Sequence, residues 1–150
     1  MKIRDLKKST IGWILYDFAD SSFVTVIVTV LFSMYFKDQI VNKGEIGTAL
    51  WGRAVSISML MVAVLAPILG AIADYSHSKK LLLTIFAYSC VFFTGLMYFA
   101  KPGMIAISMI IFILANFSFN SANVFYNAFL PMVAEPKNIG KVSGIAWGVG

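Results

Sequence analysis

Asn116, Asn120, Asn123 and Asn127 follow one another at steps of four, three and four residues in the most apolar half of this chain. At about 100° per helical residue, that spacing keeps all four amides within an arc of roughly 60°. Hydrocarbon offers an amide no partner, so such a face must look at another helix or at a water-filled cavity, and a cavity in a membrane usually carries something across it. A second polar arc lies nearer the N-terminus, where Asp17, Asp20, Ser21 and Thr25 span roughly 140° of one helix. A carboxylate in that setting can carry a proton or a cation, and the amides can hold water or a polar substrate. Both arcs also admit a structural reading, in which the same groups are hydrogen-bonded glue between helices.

The elements that would position these residues follow from hydropathy. Of 150 residues, 59% are hydrophobic and 13% charged, and the mean hydropathy is +0.84, which marks an integral membrane protein. With about 20 residues needed per crossing, the pattern predicts spans over Ile11 to Phe36, Thr48 to Ala73, Leu81 to Ala100 and Met104 to Leu130. The connections are Lys37 to Gly47, Asp74 to Lys80, and a tight Lys101-Pro102-Gly103 hairpin, so consecutive spans should be antiparallel neighbours. Beyond Pro131, the polar stretch Ala134 to Lys141 leads to a fifth helix starting near Val142, with a Gly144xxxGly148 packing pattern. The expected class is an all-α membrane protein of four transmembrane helices plus the start of a fifth. Counting about 1.5 Å per residue, Asp17 and Asp20 fall in the inner half of the membrane, at a depth similar to Asn120, Asn123 and Asn127, so the two arcs can meet.

Charge distribution orients the chain and excludes several functions. With the N-terminus inside, Lys2, Arg4, Lys7, Lys8, Lys79, Lys80, Lys137 and Lys141 lie on the inner side, against Lys37, Lys43 and Lys101 outside, as the positive-inside rule prefers. Trp13 and Tyr16 then mark the inner interface, and Tyr35, Trp51 and Tyr98 the outer one. The net charge of +5 sits in loops rather than on a surface interleaved with aromatics, which argues against a nucleic-acid partner. Cys90 is the single cysteine and His77, in a loop, the single histidine, so no dithiol can form and no metal cluster or serine–histidine pair is expected in the membrane, nor any cofactor or enzymatic activity. The first apolar run is too long for a signal-peptide core. Arg53, about one turn into the second span, can snorkel to the interface, bind an anionic substrate or pair with a carboxylate on a later helix. Pro67 lies within the second span, where membrane helices tolerate proline.

The most specific local pattern is Gly70-Ala-Ile-Ala-Asp74-Tyr-Ser-His77-Ser78-Lys79-Lys80. It resembles the signature loop of the major facilitator superfamily, matching at Gly70, Ala73, Asp74, Lys79 and Lys80, with His77 in place of a loop glycine and Ser78 in place of a first basic residue. Three further stretches, Trp13-Ile-Leu-Tyr16-Asp17-Phe-Ala-Asp20-Ser21, Phe125-Tyr126-Asn127-Ala-Phe-Leu130-Pro131 and Gly140-Lys-Val-Ser143-Gly144-Ile-Ala-Trp147-Gly148, resemble the branch of autophagy-linked vacuolar amino-acid effluxers and their bacterial relatives. That branch usually has tryptophan and asparagine where this chain has Phe18 and Asp20. The resemblance implies the N-terminal part of a fold of about twelve helices in two halves that rock about a midplane site, with the first and fourth helices lining the cavity and Asp74 gating through a helix N-terminus of the other half. The implied function is secondary transport of a small polar solute such as an amino acid, with proton coupling as one option. The implied partners are the small-molecule substrate, the lipid bilayer and the remaining helices of the transporter. A bacterial inner membrane is the expected location, with a vacuolar membrane as the alternative. The rival reading is a small four-helix homo-oligomer, either a proton-coupled multidrug exporter or a scaffold subunit.

Overall fold

The structure is a computed structural model and describes residues 8–75, 78–134 and 137–149. Lys2, Arg4, Lys7 and His77 lie outside the described residues. The chain begins with α1 (Lys8–Ser22), a π-helical segment (Phe23–Val30), α2 (Leu31–Tyr35) and a π-helical turn (Phe36–Ile40). There follow α3 (Gly44–Tyr75), α4 (Lys79–Leu96) with a 3-10 turn (Met97–Phe99), α5 (Ile105–Ala128), α6 (Leu130–Val133) and α7 (Ile139–Val149). Four stretches are long and apolar enough to cross a membrane: Thr10–Val41, Gly44–Tyr75, Lys79–Phe99 and Ile105–Ala128. The chain is thus an all-α, multi-pass membrane protein, and no strand occurs among the described residues.

Two expectations about boundaries change. The first connection is not the eleven-residue stretch Lys37 to Gly47 but residues 41–43 alone. Packing explains this: Phe36 and Ile40 are buried, so the first helix continues as a π turn to bring both side chains inward. The turn then closes on Asn42, which adopts a left-handed φ of 52°, a conformation asparagine tolerates better than most residues. Because α3 consequently starts at Gly44, Arg53 stands nine residues into it, about 14 Å along the axis rather than one turn. The fifth helix likewise begins at Ile139, three residues before Val142.

The π-helical segment covers Phe23 and an unbroken β-branched run from Val24 to Val30. Its wider winding shows in Thr29, whose hydroxyl donates to the Val24 carbonyl five residues back at 2.9 Å. Uniform α-helical pitch therefore ends at Ser22, and the 100° rule that placed Thr25 beside Asp17 and Asp20 does not extend to it. Thr25 is exposed.

The chain divides into two units, Met1–Phe32 with Tyr126–Gly150, and Ser33–Phe125. In the first, α1 packs on α7 and α6. Thr10 donates to the Val133 carbonyl at 2.7 Å, and Val142 and Ala146 on α7 are buried. In the second, Trp51 packs on Phe112 with ring centroids 4.0 Å apart, and Phe86 meets Phe117 at 5.9 Å and Phe125 at 6.0 Å, so α5 touches both α3 and α4. Of the four apolar stretches α5 is the most enclosed, with 44% of its apolar window buried against 6% for α3.

The Lys101-Pro102-Gly103 hairpin forms as the sequence predicts. Met104 N–H donates to the Lys101 carbonyl at 3.0 Å, and Gly103 has φ +84°, the pattern of a type II turn with proline second and glycine third. Gly103 N–H reaches the Ile40 carbonyl at 3.0 Å, and the Tyr35 hydroxyl donates to the Ala100 carbonyl at 3.1 Å. The same end of this unit holds Gly47, where an added Cβ would lie 2.9 Å from Lys37 Cα.

Candidate functional site

In the first unit the polar arc of α1 sits beside an aromatic cluster. Trp13 and Tyr16, one turn apart on α1, both stack on Tyr126 near the end of α5, with centroids 4.4 and 5.1 Å apart. The contact is doubled by hydrogen bonds: Trp13 Nε1–H donates to the Tyr126 carbonyl at 3.1 Å, and the Tyr126 hydroxyl donates to the Trp13 carbonyl at 3.1 Å. The Asp17 carboxylate lies near the same hydroxyl. Asp17, Asp20 and Ser21 are half-buried. Ser21 donates its hydroxyl proton to the Asp17 backbone carbonyl at 2.9 Å, the back-bond that a mid-helix serine commonly makes.

Trp13 is therefore not the interfacial anchor its position suggested. It is buried, because the Tyr126 carbonyl takes over the hydrogen bond that a tryptophan normally seeks at the membrane surface. The sequence placed Tyr126 only within the Phe125 to Pro131 stretch and gave it no role of its own, because nothing in the spacing joins it to α1 across 113 residues.

In the second unit the amide row begins deep. Asn116 is buried and donates from Nδ2 to Ser58 Oγ of α3 at 2.6 Å; Ser58 in turn donates to the Val55 carbonyl at 2.7 Å. Asn120 Nδ2 donates to the Asn116 backbone carbonyl at 2.7 Å and stands 3.3 Å from Asn116 Oδ1. Asn123 Nδ2 reaches the Phe119 carbonyl at 3.4 Å. Exposure rises along the row, from buried Asn116 through half-buried Asn120 and Asn123 to exposed Asn127. Ser58 is the second partner not anticipated from the sequence; the available signal was a lone hydroxyl one turn after Ala54 on the small-residue side of α3.

The loop constellation is also formed locally. Asp74, in the last turn of α3, pairs with Lys79 Nζ at 2.6 Å, with the carboxylate side chain 68% exposed and the lysine 33%. A carboxylate at a helix C-terminus faces the negative end of the helix dipole, and Lys79, in the first turn of α4, offsets that charge. Gly70 is half-buried, and Lys80 is exposed.

Residues 48–143 match the family described as vacuole effluxer Atg22 like. The chain belongs to the Atg22-like family. It is also 33% identical over 142 residues to an uncharacterized MFS-type transporter, YxiO, of Bacillus subtilis (strain 168), an alignment that covers 93% of this chain and 33% of that protein. The chain thus spans about a third of the length of this relative. No solved structure matches it. Within the Atg22-like match lie Asp74, Lys79, Ser58 and all four asparagines, whereas Asp17 and Asp20 precede it.

Proposed function

We propose that this chain forms the N-terminal part of a secondary transporter that moves a small polar solute, such as an amino acid, by alternating access. Membership of the Atg22-like family carries this reading, and the relative's description as an MFS-type transporter supports it. On this reading Asp17, Asp20 and Ser21 of α1 and Asn116, Asn120, Asn123 and Asn127 of α5 border the substrate or ion path. The roles within the row differ. Asn116, tied to Ser58, holds α5 against α3, while the less buried Asn120, Asn123 and Asn127 offer amides to water or substrate. Asp17 is the proton- or cation-carrying candidate, as a half-buried carboxylate on a membrane-spanning helix beside the Tyr126 hydroxyl. Gly70, Asp74, Lys79 and Lys80 act as the gating loop.

Uptake of labelled amino acids into membrane vesicles bearing the full-length protein tests this. The Asn120→Ala, Asn123→Ala double variant should insert and fold normally yet lose most of the flux. Loss of folding together with flux would instead make the amides interhelical glue, and intact flux would remove them from the path.

A further inference from the structure

The first span changes its winding where it is least packed. From Phe23 to Val30 its turns close over five residues: Leu31 N–H donates to the Val26 carbonyl, and the Thr29 hydroxyl to the Val24 carbonyl at 2.9 Å. Such π winding is rare, is mostly confined to single turns, and concentrates at functional sites. Here it runs for eight residues, none of them buried. Packing holds the span on either side instead. Trp13 and Ile14 are buried before the segment, and Phe32, Ser33, Phe36 and Ile40 after it, with Phe36 against Trp51 at a centroid distance of 5.5 Å. The wide winding therefore rests on local preference alone. Every residue from Val24 to Val30 is β-branched, and β-branched side chains crowd the preceding turn of an α-helix, which brings the two windings closer in energy. Taking one residue out of a turn shifts everything beyond it by one position, about 100° about the axis. Asp17, Asp20 and Ser21 stand just before this segment, and the chain passes from one of its units to the other just after it, at Phe32 and Ser33.

We propose that Phe23–Val30 is a winding joint, which exchanges between π and α closure during the transport cycle and so turns the face bearing Asp17, Asp20 and Ser21 about the axis of its own span. The buried residues on either side keep their packing while the unpacked segment takes up the change. The inference rests on the reading above for the cycle it serves, whereas the exchange of winding is a property of the segment and is measured without flux.

The test uses the full-length protein in lipid nanodiscs, with Cys90→Ala and any other native cysteine replaced, and phenylarsine oxide, a membrane-permeant reagent that bridges two neighbouring thiols. Val26→Cys with Leu31→Cys, five residues apart, are neighbours only under π closure, whereas Ile27→Cys with Val30→Cys, three apart, are neighbours under α closure. Leu60→Cys with Leu65→Cys repeats the five-residue spacing on α3, which is α-helical throughout, and supplies the reference rate. By intact mass, the Val26 and Leu31 pair should bridge about tenfold faster than that reference, whose two thiols stand about 140° apart round the axis. The Ile27 and Val30 pair should bridge as well, which only an exchanging segment permits. In vesicles, each bridge should halt uptake of labelled amino acids and dimercaptopropanol should restore it, while the single-cysteine variants keep their uptake throughout. Bridging of only one of the two pairs would mean a fixed winding and overturn the proposal, as would both bridges with uptake intact. If both pairs bridge but even the unsubstituted protein moves no amino acid, the transport reading fails while the exchange of winding is upheld.

Discussion

A hydrogen bond between two transmembrane helices contributes less than its dry surroundings suggest, because the separated helices also find partners for their polar groups. The Asn116 to Ser58 contact, 2.6 Å and buried, is accordingly expected to show a coupling of about 0.6 kcal/mol, and no more than about 1.7, in a double-mutant cycle of Asn116→Ala and Ser58→Ala. Unfolding in mixed micelles measures it; a coupling near zero would mean that the contact does not join α3 to α5. The Asp74 to Lys79 pair belongs to a different regime. With Asp74 mostly exposed, the pair contributes at most about 1 kcal/mol to stability. Asp74→Asn should therefore leave the thermal midpoint nearly unchanged while reducing flux strongly, if the carboxylate gates. Unchanged flux would return Asp74 to an ordinary helix-ending charge. Trp13 teaches a third lesson at this scale, because an amphipathic ring near a predicted interface satisfies the sequence rule equally well when its N–H is taken by a buried carbonyl.

At the scale of elements, the end of the Ser33–Phe125 unit that carries the Pro102 hairpin combines buried side chains, Phe36 and Ile40, with a close backbone approach. Gly47 is the position where this proximity is tightest: a Cβ would meet Lys37 Cα at 2.9 Å and Lys37 O at 3.1 Å. Both obstacles are backbone, so they cannot rotate away. Gly47→Ala is expected to cost about 1–3 kcal/mol, read as a lowered thermal midpoint in detergent. Gly95→Ala on α4, where nothing lies within 4 Å, should be neutral or slightly stabilising through helix propensity. Equal effects at the two positions would contradict the close approach. The same packing accounts for the revised loop. Lys37 to Gly47 reads as polar connection by composition, yet burial of Phe36 and Ile40 draws most of it into helix. The π-helical segment was equally illegible, because α-helical periodicity cannot register a change of pitch inside a β-branched run.

At the scale of the whole molecule, the lysine distribution makes a prediction that topology can answer. An N-terminus on the cytoplasmic side places the Lys101-Pro102-Gly103 turn outside. Lys101→Cys, in a Cys90→Ala background, should then react with a membrane-impermeant maleimide in intact cells, and Lys80→Cys should react only after permeabilisation. The reverse pattern would invert the orientation of the chain and put the Asp74 loop outside. What the sequence determined by itself was the membrane class, the four spans to within a few residues, the hairpin at Pro102 and the residues worth testing. These follow from hydropathy, length and turn chemistry, which are local quantities. The tertiary structure alone decided that Tyr126 locks onto Trp13 and approaches Asp17, that Ser58 takes the first amide of the row, and that Gly47 admits no side chain. Each of these joins residues distant in sequence, or depends on how closely two backbones approach. Periodicity assigns a residue to a face of its own helix; which partner meets that face, and how near, is set by packing the faces together.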